Sequence, residues 1–105
     1  MPRGSDQPRT ASLPVRAQNI SFDTNKLSLQ ASVKTVIQFE NGDSSSTLHN
    51  IAIYEDEGAN DPIFQGEIIP GGTDIDYEFT APGRGQYFFR CDVHPSMNGT
   101  VVVEP

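Results

Sequence analysis

Apolar and polar positions alternate along this chain in short stretches, and turn residues interrupt the alternation before any stretch reaches helical length. The clearest case is Thr73 to Thr80 (TDIDYEFT), which alternates strictly and points Ile75, Tyr77 and Phe79 to one face. Val33 to Phe39 (VKTVIQF) is rich in β-branched and aromatic residues and runs into Asn41-Gly42-Asp43, a strong turn signal. Thr47 to Tyr54 (TLHNIAIY) sets Leu48, Asn50, Ala52 and Tyr54 on one face against His49, Ile51 and Ile53 on the other. Residues 13–22 open with an apolar/polar alternation, and Lys26 to Leu29, Gln86 to Cys91 and Thr100 to Val103 add further strands. Ile63 to Ile69 favours neither strand nor loop. Pro70-Gly71-Gly72 and Ala81-Pro82-Gly83-Arg84-Gly85 read as turns, and no segment of ten or more residues carries a 3.6-residue period. The pattern predicts an all-β Greek-key β-sandwich of seven to eight strands.

The chain has 105 residues, 35% of them hydrophobic, which suffices for one core but not two. Residues 1–12 (MPRGSDQPRTAS) are polar, lack the apolar stretch of a signal peptide and are expected to form a flexible tail, leaving 13–105 as the folded domain. No apolar run approaches the roughly 18 residues of a membrane span. The formal net charge is −7, and because Arg3, Arg9 and Arg16 offset it near the start, the remainder is more acidic still. Such a surface repels nucleic acid and favours basic protein partners.

A single cysteine excludes an internal disulfide, and a lone cysteine is ordinarily a small buried hydrophobe. Its neighbours change that reading. In YFFRCDVHPSMNGTVVV (residues 87–103), Cys91, His94 and Met97 follow one another at three-residue intervals. The chain between neighbours spans at most about 10 Å, so a tight loop can gather a thiolate, an imidazole and a thioether at one point. This soft donor set selects copper, and two histidines, one cysteine and a weak axial methionine make a blue-copper electron-transfer site. The second imidazole must come from elsewhere, and the only other histidine is His49. A histidine on an apolar strand face is ordinarily a hydrogen-bonded core residue; here the count of donors closes with it. The metal ligands expected are therefore His49, Cys91, His94 and Met97, holding one copper ion.

Residues 33–104 resemble a cupredoxin, the family of plastocyanin, amicyanin and pseudoazurin. TLHNIAIY resembles the family's first-ligand strand, IIPGGTDIDYEFTAPGRGQYFF the turn, strand and turn that follow, and YFFRCDVHPSMNGTVVV the second ligand loop and closing strand. The spacing of His94 and Met97, shorter than in plastocyanin and pseudoazurin, matches amicyanin, as does Pro95. The resemblance implies that the Asn50 backbone donates to the cysteine sulfur and that the ring edge of His94 is the exit for the electron; Tyr87, Phe89 and Cys91 share one strand face, so Phe89 is expected to pack beneath the metal. It implies a one-electron carrier rather than an enzyme, working outside the cytoplasm as a monomer with redox proteins such as c-type cytochromes or a respiratory oxidoreductase complex. The acidic stretch Glu55, Asp56, Glu57 and Asp61 could steer a basic partner or simply be a solvated loop. An oxidase or nitrite reductase needs further histidines that the chain lacks, although a domain feeding electrons to a larger enzyme remains open. A copper carrier is the other alternative; such sites expose clusters of Met or Cys, and Met1 is the only other methionine.

Overall fold

The computed structural model describes residues 10–105. Eight strands form two sheets: β1 (Thr10–Ala17), β2 (Lys26–Gln30), β3 (Lys34–Asn41), β4 (Ala52–Tyr54), β5 (Pro62–Gln65), β6 (Thr73–Thr80), β7 (Gly85–Arg90) and β8 (Asn98–Glu104). One sheet has the order β1-β3-β6 and the other β2-β8-β7-β4-β5. Among the described residues there is no helix. The expected β-sandwich is thus the observed one. Its first strand begins at Thr10, inside the stretch expected to be a tail, because residues 10–17 pair in parallel with the whole of β3; residues 1–9 of that stretch lie outside the described residues.

The alternation in the sequence becomes the core wherever one face of a strand meets the opposite sheet. On β3, Thr35, Ile37, Phe39 and Asn41 are buried while Lys34, Gln38 and Glu40 are exposed. Leu27 and Leu29 of β2 and Val101 and Val103 of β8 cover the same core from the other sheet. Aromatic rings join the layers. Phe22 lies 6.3 Å from Phe39 and 5.4 Å from Phe89, and Phe39 stacks on Tyr77 at 5.7 Å. Ring pairs at these separations add stabilisation beyond the area they bury.

Two features differ from the pattern. Thr47 to Tyr54 was expected to be one alternating strand, yet only Ala52–Tyr54 is strand, and His49 to Tyr54 are buried on both faces. The outer face is closed by polar groups: the Arg90 guanidinium sits 5.0 Å from the Tyr54 ring centroid, and Asn50 is hydrogen-bonded beneath Asp92. Hydrophobic periodicity reports only apolar cover, so this arrangement left no trace in it. The ambiguous stretch 63–69 divides. Pro62–Gln65 pairs with β4 at the sheet edge, where a leading proline is tolerated, and Ile69 bridges to His49.

The turn after residue 69 brings two loops into contact. Gly71 has no alternative there, since a Cβ would overlap the carbonyl oxygens of Asp43 and Ser44. Gly99, at the start of β8, is likewise pressed between the Asn25 carbonyl and the Phe89 ring. Both contacts lie at the end of the sandwich that carries His49 and Cys91.

Candidate metal centre

β4 and β7 are neighbours, with Ala52 opposite Arg90. Continuing that register brings the residues just before β4 beside those just after β7. His49 precedes β4 and is locked by a two-way backbone bridge, His49 N to Ile69 O at 3.1 Å and Ile69 N to His49 O at 2.9 Å. Cys91 follows β7 directly. The loop from Cys91 to Met97 is closed by Cys91 N donating to Met97 O at 2.9 Å and Met97 N donating to His94 O at 2.8 Å. These two bonds fold the three-residue spacing into a tight turn. Asn98 supports it through Nδ2, which donates to the Pro95 carbonyl at 3.0 Å.

The side chains converge. Cys91 Sγ lies 3.7 Å from His49 Nδ1 and 3.9 Å from His94 Nδ1, and the three donor atoms all lie within 4.8 Å of one another. Metal–sulfur and metal–nitrogen bonds of about 2.3 and 2.0–2.1 Å, opened to about 120°, separate sulfur from nitrogen by about 3.8 Å. The observed spacings bracket that value, so a single ion fits between the donors without rearrangement. His49, Cys91 and Met97 are buried, and His94 is half-buried. A thiolate with two imidazoles is a set that copper prefers, and Met97, buried at the end of the same turn, is the expected fourth donor. Phe89 of β7, two residues before Cys91, is fully buried and packs against Phe22.

A model of the cupredoxin-like domain matches residues 3–103. The chain belongs to the cupredoxin-like family. No curated protein sequence matches this cupredoxin, but solved structures do. Auracyanin A, a "blue" copper protein from the green thermophilic photosynthetic bacterium Chloroflexus aurantiacus, has a TM-score of 0.79 at 20% identity, over 91% of this chain and 100% of that one. Amicyanin from Paracoccus versutus has a TM-score of 0.64 at 28% identity, over 95% and 87% of the two chains. An azurin from Methylomonas sp. strain J has a TM-score of 0.76 at 20% identity, over 90% and 98%. Auracyanin and azurin, at a fifth identity, speak for the shared fold alone.

Around its donors this cupredoxin carries polar groups that the sequence reading did not single out. His49 Nε2 donates to Asp43 Oδ2 at 2.7 Å. That bond, with amide donors from Ile20 and Asn19, outweighs burial and holds the Asp43 carboxyl below the usual carboxylate range. Asp43 had been read only as part of a turn; its place six residues before a candidate ligand was the one available hint. On the other side, Asp92 accepts from Tyr54 Oη at 2.6 Å, Arg90 Nε at 3.1 Å and Asn50 Nδ2 at 3.2 Å. Burial pushes the Asp92 carboxyl up, and the hydrogen bonds from Tyr54, Asn50 and Arg90 together bring it below its ordinary value.

Asn50 does more than the resemblance implied of it, because its side chain makes contacts of its own. Asn50 Oδ1 accepts from Asp92 N at 2.7 Å, and Nδ2 donates to Gly66 O at 2.9 Å as well as to Asp92. The amide therefore ties the backbone just after Cys91 to the segment carrying His49.

Proposed function

We propose that this protein is a type 1 copper protein that carries single electrons between redox partners, with copper held by His49, Cys91, His94 and Met97. The convergence of one thiolate and two imidazole Nδ1 atoms at 3.7 and 3.9 Å carries the reading. Copper bound there supplies a one-electron Cu(I)/Cu(II) couple. The chain supplies everything else. Cys91 and His49 are held by backbone bonds in a close-packed sandwich, so the donors have little freedom to follow a change of oxidation state. Phe89 and Met97 keep water from the buried side. His94 is half-buried, which fits a ligand whose ring edge is the exit for the electron.

The surface around His94 supports partner docking there. The exposed large hydrophobic residues among those described are Ile20 (50%), Leu48 (43%), Ile68 (46%) and Val93 (39%). Each adjoins a donor or a residue bonded to one: Leu48 precedes His49, Val93 precedes His94, Ile68 precedes the bridging Ile69, and the Ile20 amide bonds Asp43. Apolar residues gathered at one end of an otherwise acidic molecule suit a transient redox partner such as a c-type cytochrome or an oxidoreductase complex. The exposed acidic loop of Glu55, Asp56, Glu57 and Asp61 suits steering of a basic one. A carrier acting outside the cytoplasm, free of enzymatic turnover of its own, fits a thiolate copper site. No helix among the described residues is long and apolar enough to cross a membrane.

The test is optical. Cu(II) added to the reduced apoprotein produces an intense blue or green band from thiolate-to-copper charge transfer, and a mild reductant bleaches it. Cys91→Ser abolishes the band. A wild-type protein that binds Cu(II) weakly and stays colourless would overturn the reading.

A further inference from the structure

We propose that Asp43 is a positioning residue that sets how strongly the centre prefers Cu(II) over Cu(I), by orienting His49 and by placing a fixed negative charge one imidazole ring away from the metal. The proposal rests on the copper reading above. Its basis is the bracing of this carboxylate. Oδ2 accepts from His49 Nε2 at 2.7 Å and from the Ile20 amide at 3.1 Å, while Oδ1 accepts from the Asn19 amide at 2.6 Å.

The two amides come from consecutive left-handed residues, Asn19 at φ 57° and Ile20 at φ 54°. A β-branched isoleucine resists that conformation. It is held because the turn then aims successive N–H groups at one anion. The backbone behind the carboxylate is fixed too. Asp43 N donates to Asn41 Oδ1 at 3.1 Å, and Asn41 Nδ2 donates to the carbonyls of Thr47 (2.9 Å) and Ile69 (3.0 Å), the latter being the residue that bridges His49. Gly71 lets the Asp43 carbonyl pack against the opposite turn. The carboxylate therefore cannot swing away from the ring.

Among the described residues no lysine or arginine forms an ion pair with Asp43, although the Arg16 guanidinium packs over neighbouring Gly42. The other carboxylate near the donors, Asp92, is paired with Arg90. Arg16 pairs with Glu40 and Lys34 with Glu78. A carboxylate accepting from the far nitrogen fixes the tautomer in which Nδ1 is free to bind metal and makes that nitrogen a better donor. A negative charge at this range, on a side chain 12% exposed, stabilises the more positive oxidation state.

The experiment compares wild type, Asp43→Asn and Asp43→Glu, each loaded with copper, by reduction potential and by competition against Cu(II) and Cu(I) chelators. Asp43→Asn keeps the coloured band but lowers the ratio of Cu(II) to Cu(I) affinity at least tenfold, a rise in potential of about 59 mV for a one-electron couple. Asp43→Glu keeps the charge and stays within a few-fold of wild type. A merely structural role would weaken both oxidation states together in both variants and leave the potential in place. A coloured Asp43→Asn protein with unchanged potential overturns the proposal. If that variant does not fold, the wild-type Cu(I) form decides: its His49 Nε2–H should appear downfield and protected from exchange in 1H–15N spectra, and a freely exchanging proton overturns the proposal. A wild-type protein colourless with Cu(II) would sink the copper reading itself, an outcome separable from the others.

Discussion

Asn50→Ala offers the sharpest test of how the two halves of the centre are joined. Asn50 is 1% exposed and sits 42 residues from Asp92 in sequence, yet its side chain receives the Asp92 amide at 2.7 Å and gives hydrogen bonds to Gly66 O at 2.9 Å and Asp92 Oδ2 at 3.2 Å. Truncation strands two backbone groups, Asp92 N and Gly66 O, in a place with little access to water. Each buried orphan costs about 1–3 kcal/mol, and Asp92 Oδ2 keeps its other donors and adds little. The expected loss is about 3–5 kcal/mol, a large share of the 5–15 kcal/mol typical of a domain. In urea, with a slope of about 1–3 kcal/mol/M, the midpoint of the apoprotein should fall by roughly 1–5 M without a change in slope. The same change loosens the Cys91 turn from the His49 segment, so the copper band of the variant should broaden and bleach at lower denaturant than wild type. A loss under about 1 kcal/mol would mean that water satisfies both orphans, and the view of Asn50 as the tie between the ligand segments would be wrong.

Met97→Leu conserves volume at a buried position and should cost less than about 1.5 kcal/mol while keeping the coloured band. Because the axial ligand tunes the couple, its reduction potential should move, and an unchanged potential would remove Met97 from the ligand set. Acid should weaken the apoprotein in a definite window. Asp43 and Asp92 have folded-state values below the unfolded value of about 3.9, so their contribution is present above that pH and lost as pH falls through the folded values. The urea midpoint should therefore be steady from neutrality to about pH 5 and drop below about pH 4; equal midpoints at pH 3 and pH 6 would contradict this.

Much of the centre was legible because part of it is local. Cys91, His94 and Met97 lie within seven residues, and a chain that short cannot carry its donors apart, so composition and spacing alone announced a soft metal site. The strict alternation of β3 and β6 likewise reported a sheet with one face covered by apolar side chains. His49 could be named only by elimination. What brings its Nδ1 within 3.7 Å of the sulfur is the antiparallel register of β4 on β7 and the bridge to Ile69, which no pattern of apolar residues specifies.

The polar frame was beyond reach for the same reason. Asp43 meets residues 23 and 24 positions away, and Asn50 meets one 42 positions away. A carboxylate in a turn or an asparagine in a strand looks the same in sequence whether it faces water or a ligand. By itself the sequence determined the all-β pattern and which atoms could bind a metal, since side-chain periodicity and short-range chain geometry are local properties. Only the tertiary structure decided where His49 sits, what holds its ring and which amide ties the two segments, because hydrogen bonds between distant residues exist only once strand register has placed their partners within 3 Å or so.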